Sequence, residues 1–122
     1  MLKVESKILV GDNSGARIVK CIHILGSGNK RFGALGDFLI VAIPNRRVVR
    51  RLITKNLYLA LIVLVNRNVY RRQGYFIKSK RNKVVLLSDY GRLVGSRLSG
   101  LILKEVYRSG LKKILSIARG VI

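Results

Sequence analysis

The chain is a succession of short apolar runs, each closed by a cluster of turn-forming residues, and that layout restricts it to small β-architectures. Residues 16–25 alternate with a period of two. Ile18, Ile22 and Ile24 fall to one side, interrupted by Lys20, while Arg17, Val19, Cys21, His23 and Leu25 fall to the other. This is the signature of a β-strand. Further runs occupy 37–43, closed by Pro44, then 57–65, 75–78 and 83–87. The 57–65 run is apolar in both parities, which predicts burial on both faces. Residues 1–10 read as another strand, with Lys3, Glu5 and Lys7 set among apolar residues. Segments 11–15, 26–28, 66–68 and 89–91, with Gly33, Gly36 and Gly74, supply turns, and Asn82 is a turn candidate between two of the runs. Many short strands at near-regular spacing predict a small closed β-barrel.

Near the C-terminus the period changes. Leu111, Ile114, Leu115 and Ala118 follow the i, i+3, i+4, i+7 spacing of a helix face, and 103–107 reads as another helical turn ending near Gly110. A helix this short must pack on the barrel to exist, so these four positions should face inward. No repeat, linker or composition break divides the 122 residues, so one domain is expected over 1–122, with its helical part at about 101–122.

Charge restricts the partners. There are 25 Lys and Arg against 5 Asp and Glu, a formal net charge of +20 at pH 7. So much positive charge on a small body repels itself, and a nucleic acid is the polyanion that best relieves it. The longest apolar run is far short of the roughly 20 residues of a membrane-spanning helix, and no long amphipathic helix is evident, so membrane insertion is not expected. Residues 1–10 lack the layout of a signal peptide. The single cysteine, Cys21, fits a reducing compartment and a thiol that packs as a small hydrophobe.

Catalytic chemistry finds no constellation. The acids Glu5, Asp12, Asp37, Asp89 and Glu105 are scattered, mostly beside turns, where carboxylates make local backbone bonds. His23 is the only histidine. As residues i and i+2 of a strand, Cys21 and His23 are expected on one face, yet no third ligand or orienting group accompanies them. No catalytic residue, metal site or cofactor is therefore expected. The glycine-rich 26–31 segment follows a strand but lacks the Gly-Lys-Ser/Thr helix start of a nucleotide loop. It reads as a hairpin loop whose amides, with Lys30 and Arg31, could hold an RNA phosphate.

Three clusters carry the binding signal: Arg46, Arg47, Arg50 and Arg51; Arg67, Arg71 and Arg72; and Lys78, Lys80, Arg81 and Lys83. Each adjoins the end of an apolar run, so each should project from the barrel, and no acid interrupts any of them. A merely solvated face normally mixes signs, so these clusters, together with Arg17, are assigned to phosphate contact. Tyr70 and Tyr75 stand beside the arginines, where they either stack on bases or pack on the barrel.

The heptapeptide Gly11-Asp12-Asn13-Ser14-Gly15-Ala16-Arg17 resembles the signature of the large-subunit ribosomal protein fourteen family. Cys21-Ile22, Leu25-Gly26, Lys30-Arg31-Phe32, Gly36-Asp37, the apolar 84–87 run, Gly95-Ser96-Arg97 and the 113–118 segment follow in the family's order, so the resemblance spans essentially the whole chain. It implies a five-stranded barrel with a projecting basic β-ribbon and short C-terminal helices. It implies binding to large-subunit rRNA beside ribosomal proteins three and nineteen, on the face that meets the small subunit and its rRNA. It further implies a protein-partner face at Ser96, Arg97 and Lys113, where a ribosome-silencing factor can dock. The chain departs from the family at Leu98-Ser99-Gly100-Leu101, where an aromatic, glycine and proline are usual, and at Arg119-Gly120, where a proline and an acid are usual. Richness in Leu, Ile, Val, Lys and Arg fits a ribosome of the mitochondrial matrix, with a plastid or the bacterial cytoplasm as alternatives. The rival reading from another class is a free-standing basic barrel, an RNA chaperone or DNA-packaging protein.

Overall fold

A computed structural model describes residues 2–26, 31–44 and 56–122. In chain order the strands are β1 (Leu2–Lys3), β2 (Lys7–Val10), β3 (Ile18–Ile24), β4 (Phe32–Gly33), β5 (Phe38–Ala42), β6 (Leu57–Leu64), β7 (Asn68–Tyr70), β8 (Phe76–Lys78), β9 (Lys83–Leu87) and β10 (Leu98–Ile102). A 3-10 helix (Lys104–Ser109), α1 (Lys112–Ile117) and β11 (Ala118–Val121) complete the chain.

Five of these strands close a barrel in the order β2-β3-β5-β6-β9. Four neighbouring pairs are antiparallel, and the parallel pairing of β2 with β9 shuts the ring. Closure leaves the barrel no free edge, the usual liability of a small sheet. The expected 1–10 strand is thus two strands, and β1 pairs with β4 outside the barrel. The 75–78 run also pairs away from the barrel: β8 joins β7 in a separate two-stranded ribbon, not β9. Asn82 still marks the passage to β9, its side-chain oxygen accepting the Asn66 amide at 2.7 Å.

The core has two parts. Inside the barrel lie Ile8, Val19, Cys21, Ile24, Leu39, Val41, Ala60, Ile62, Val84 and Leu86, with neighbours from the barrel ends. The second cluster lies on the outer face of β6 and β9, where Leu61, Val63, Val85 and Leu87 meet Leu98, Ile102, Val106 and Ile114. This explains why 57–65 is apolar in both parities: one face fills the barrel and the other receives the C-terminal module. Ile114 is fully buried, Leu111, Leu115 and Ala118 pack against the same cluster, and Lys112 and Lys113 stay exposed. The 3-10 helix ends at Gly110, whose left-handed φ of 84° suits glycine.

Among the described residues, two β-bulges within the barrel alter the expected alternation. The β3–β5 register shifts between Cys21 and His23, and the β6–β9 register shifts between Ile62 and Leu64. Each adds a residue to one strand and increases its bend, which helps a small barrel close. After the first bulge Ile24 enters the core instead of Leu25, and His23 turns outward. Cys21 and His23 therefore face opposite sides of β3, contrary to the shared face that plain alternation implies.

Candidate nucleic-acid interface

The signature heptapeptide forms the loop from β2 to β3, and the polar side chains of Asp12, Asn13 and Ser14 turn toward neighbouring segments of the fold. β2 ends at Val10, paired with Val84, and the Gly11 amide still donates to the Val84 carbonyl at 2.9 Å. Beyond that point the Asp12 carboxylate takes over the pairing, with Oδ2 accepting the Leu86 amide at 3.1 Å. Its Oδ1 accepts both the amide and the hydroxyl of Ser14, which is fully buried. Asn13 Oδ1 accepts the amides of Ser96 (2.8 Å) and Arg97 (3.2 Å), while its Nδ2 donates to Ser96 Oγ (3.1 Å). The Gly11 carbonyl accepts the Ser99 amide at 2.7 Å. A side chain at Gly95 would put its Cβ 2.8 Å from Asn13 Oδ1, so the close approach requires glycine. The motif is a clasp joining the loop to β9 and to the 95–99 segment. Burial pushes the Asp12 carboxyl above its usual value of 3.8, and the bonds from Ser14 and Leu86 offset this only in part.

Of the described cations, Arg17, Arg31, Arg67, Arg72, Lys78, Lys80 and Arg81 are exposed. Lys83 is half-buried at the start of β9, its ammonium lying against Gly100. Arg31 precedes exposed Phe32, over whose ring the Lys3 ammonium stands 5.4 Å from the centroid. Lys30, Arg46, Arg47, Arg50 and Arg51 lie outside the described residues.

Arg71 departs from the expected phosphate-contacting role. Its Nε lies 2.6 Å from Glu105 Oε1, its side chain is only 8% exposed, and Nη2 donates to Glu105 Oε2 at 3.1 Å and to the Ile122 carbonyl at 2.7 Å. The guanidinium is neutralised and fixes the β7–β8 ribbon to the C-terminal module. No acid interrupts this cluster in sequence, but the fold brings one to it from 34 residues away.

Ser96 and Arg97 are exposed on the segment that Asn13 holds, immediately before β10. Lys113 is exposed in the first turn of α1, which runs directly into Ala118, the partner of Leu98 across β10 and β11. The parallel β10–β11 pair thus links the two segments into one module.

Cys21 is fully buried and burial pushes its thiol up, disfavouring the thiolate, while His23 is exposed on the other face. Among the described residues no group of three or more His, Cys, Asp or Glu could hold a metal ion, and no helix is long and apolar enough to cross a membrane. We predict that a thiol reagent labels native Cys21 only as fast as the barrel opens. Immediate stoichiometric labelling, read by mass spectrometry, would refute this burial.

The family model described as ribosomal protein L14p/L23e matches residues 1–122. That match covers the clasp, the barrel, the ribbon and the C-terminal module alike, and it associates the chain with the ribosome and its RNA through a structural family, not an enzymatic one. The chain belongs to the ribosomal protein L14p/L23e family and is a structural constituent of the large ribosomal subunit.

Proposed function

We propose that the chain binds large-subunit rRNA through its exposed strand-end cations and lies where the large subunit meets the small one. The observation that carries this reading is the stretch 66–82, which holds exposed Arg67, Arg72, Lys78, Lys80 and Arg81 and no acid, on a ribbon and loop outside the barrel, with half-buried Lys83 following at the start of β9. Arg17 and Arg31 extend the cationic surface, and the sequence adds Lys30, Arg46, Arg47, Arg50 and Arg51. The barrel is a rigid mount that neutralises phosphates where RNA helices converge. Recognition is by backbone and shape, because the deep groove of A-form RNA hides its base edges.

Ser96, Arg97 and Lys113 form the protein-partner face, for the small-subunit junction or a ribosome-silencing factor, with ribosomal proteins three and nineteen as neighbours. Exposed Leu101, Val121 and Ile122 on the same C-terminal module support a protein contact there. The composition supports a mitochondrial ribosome, a placement that fractionation of organelles tests.

The test is the salt dependence of binding to an rRNA fragment. Changing Arg67, Arg72, Lys80 and Arg81 to Gln should lower the slope of log K against log salt by about one unit for each phosphate no longer neutralised. An unchanged slope would make these residues a solvated face only. For the partner face, Ser96→Ala, Arg97→Ala and Lys113→Ala together should leave subunit assembly nearly intact but weaken joining to the small subunit or factor binding. Unchanged joining and factor binding would contradict the assignment.

A further inference from the structure

The β7–β8 ribbon pairs Asn68 with Lys78, Val69 with Ile77 and Tyr70 with Phe76. Strand alternation therefore divides its side chains between two faces. Val69 packs against the barrel core, and Arg71, next on that side, is clamped to Glu105. This fixes the opposite face, carrying Tyr70, Phe76 and Lys78, toward solvent. Tyr70 is 76% exposed and Phe76 54%. Their ring centroids are 5.7 Å apart with planes tilted by 52°, so neither ring covers the other. The outward face of a ribbon ordinarily carries polar residues, and this aromatic pair contributes nothing to either core cluster. Arg72 and Lys78 are exposed beside it, and no acid lies anywhere in 66–83.

Open aromatic faces rimmed by unopposed cations match one ligand chemistry, a flat base joined to phosphates. We infer that the outer face of β7–β8 is a stacking platform for an unpaired RNA base, with Tyr70 and Phe76 receiving the base and Arg72 and Lys78 its flanking phosphates. The base must be unpaired, because a duplex buries its base faces in its own stack. The inference rests on the rRNA-binding reading and narrows it to a bulged, looped or single-stranded nucleotide at this ribbon.

The test uses the full chain and two RNA probes, a single strand of about ten nucleotides carrying a central 2-aminopurine and a blunt duplex of the same length. In the double variant Tyr70→Leu and Phe76→Leu, which keeps apolar bulk without aromatic faces, single-strand affinity should fall about tenfold. The stacking-induced quench of 2-aminopurine should disappear, while duplex affinity and the salt slope stay as in the parent. Tyr70→Phe should retain both affinity and quench. Undiminished single-strand affinity in the double variant overturns the platform. Equal losses on both probes also overturn it, assigning the rings to the ribbon's own fold. A variant that keeps RNA binding but fails to enter subunits places a protein on these rings and overturns it too. If the parent binds neither probe, the rRNA-binding reading itself falls, an outcome distinct from the others.

Discussion

Replacing Asp12 by Ala should destabilise the fold by about 3 kcal/mol, as three donors are left without their acceptor and each unsatisfied buried group costs about 1–3 kcal/mol. The donors are the Leu86 amide, in the barrel wall, and the amide and hydroxyl of buried Ser14. Relief of the carboxylate's burial penalty keeps the total below the simple sum. Asp12→Asn keeps one oxygen but turns an amide donor toward other donors, and should cost about 1–2 kcal/mol. The raised Asp12 pKa adds a signature of definite sign. Between the usual carboxylate value and the raised one, the folded chain holds a proton that the unfolded chain releases. The Asp12 contribution therefore grows as pH falls through that window and is smallest above it. Urea unfolding at neutral pH and at a pH just above 4 should show the gap between parent and Asp12→Ala widening in acid. A gap that narrows would contradict the burial of this carboxylate.

The second large effect concerns Arg71 and Glu105. Removing one member of a buried pair typically costs about 3–5 kcal/mol, because the other charge is stranded. Here both side chains keep some solvent contact, 8% for Arg71 and 14% for Glu105, so Glu105→Ala should cost about 2–3 kcal/mol by urea unfolding. Arg71→Leu with Glu105→Leu should recover most of that stability, since an apolar pair replaces both charges. RNA binding separates positioning from simple charge. Deleting an acid should by itself strengthen attraction to a polyanion. If the clamp orients the ribbon on RNA, Glu105→Ala should instead weaken binding under conditions where the chain remains folded. Stronger binding would show that ribbon orientation is irrelevant.

Much of the architecture was legible because its signals are local. The turn clusters, the double-faced 57–65 run and the helical spacing of Leu111, Ile114, Leu115 and Ala118 all depend on neighbours in sequence. What stayed hidden depends on contacts between distant segments. A bulge has no composition signature, so nothing in 16–25 revealed that His23 would leave the Cys21 face. The pairing of β8 with β7 is a choice among strands with similar patterns, and β10 and β11 lie in or beside a part, about 101–122, that the sequence assigns to helices. For the site, the exposed cations followed from strand-end position. The Asp12–Ser14 spacing hints at a local turn bond, but the reach of Asp12 to Leu86 and of Asn13 to Ser96 has no such hint. Glu105 likewise looked like one scattered acid until the fold set it against Arg71.

The central claim, a structural place in the large ribosomal subunit, meets its most direct test in sucrose-gradient sedimentation of a native extract at moderate salt, with detection of this chain across the fractions. The account predicts that the chain runs with large subunits and whole ribosomes. Finding most of it in the low-mass soluble fractions, as expected of a free-standing nucleic-acid chaperone, would contradict that claim.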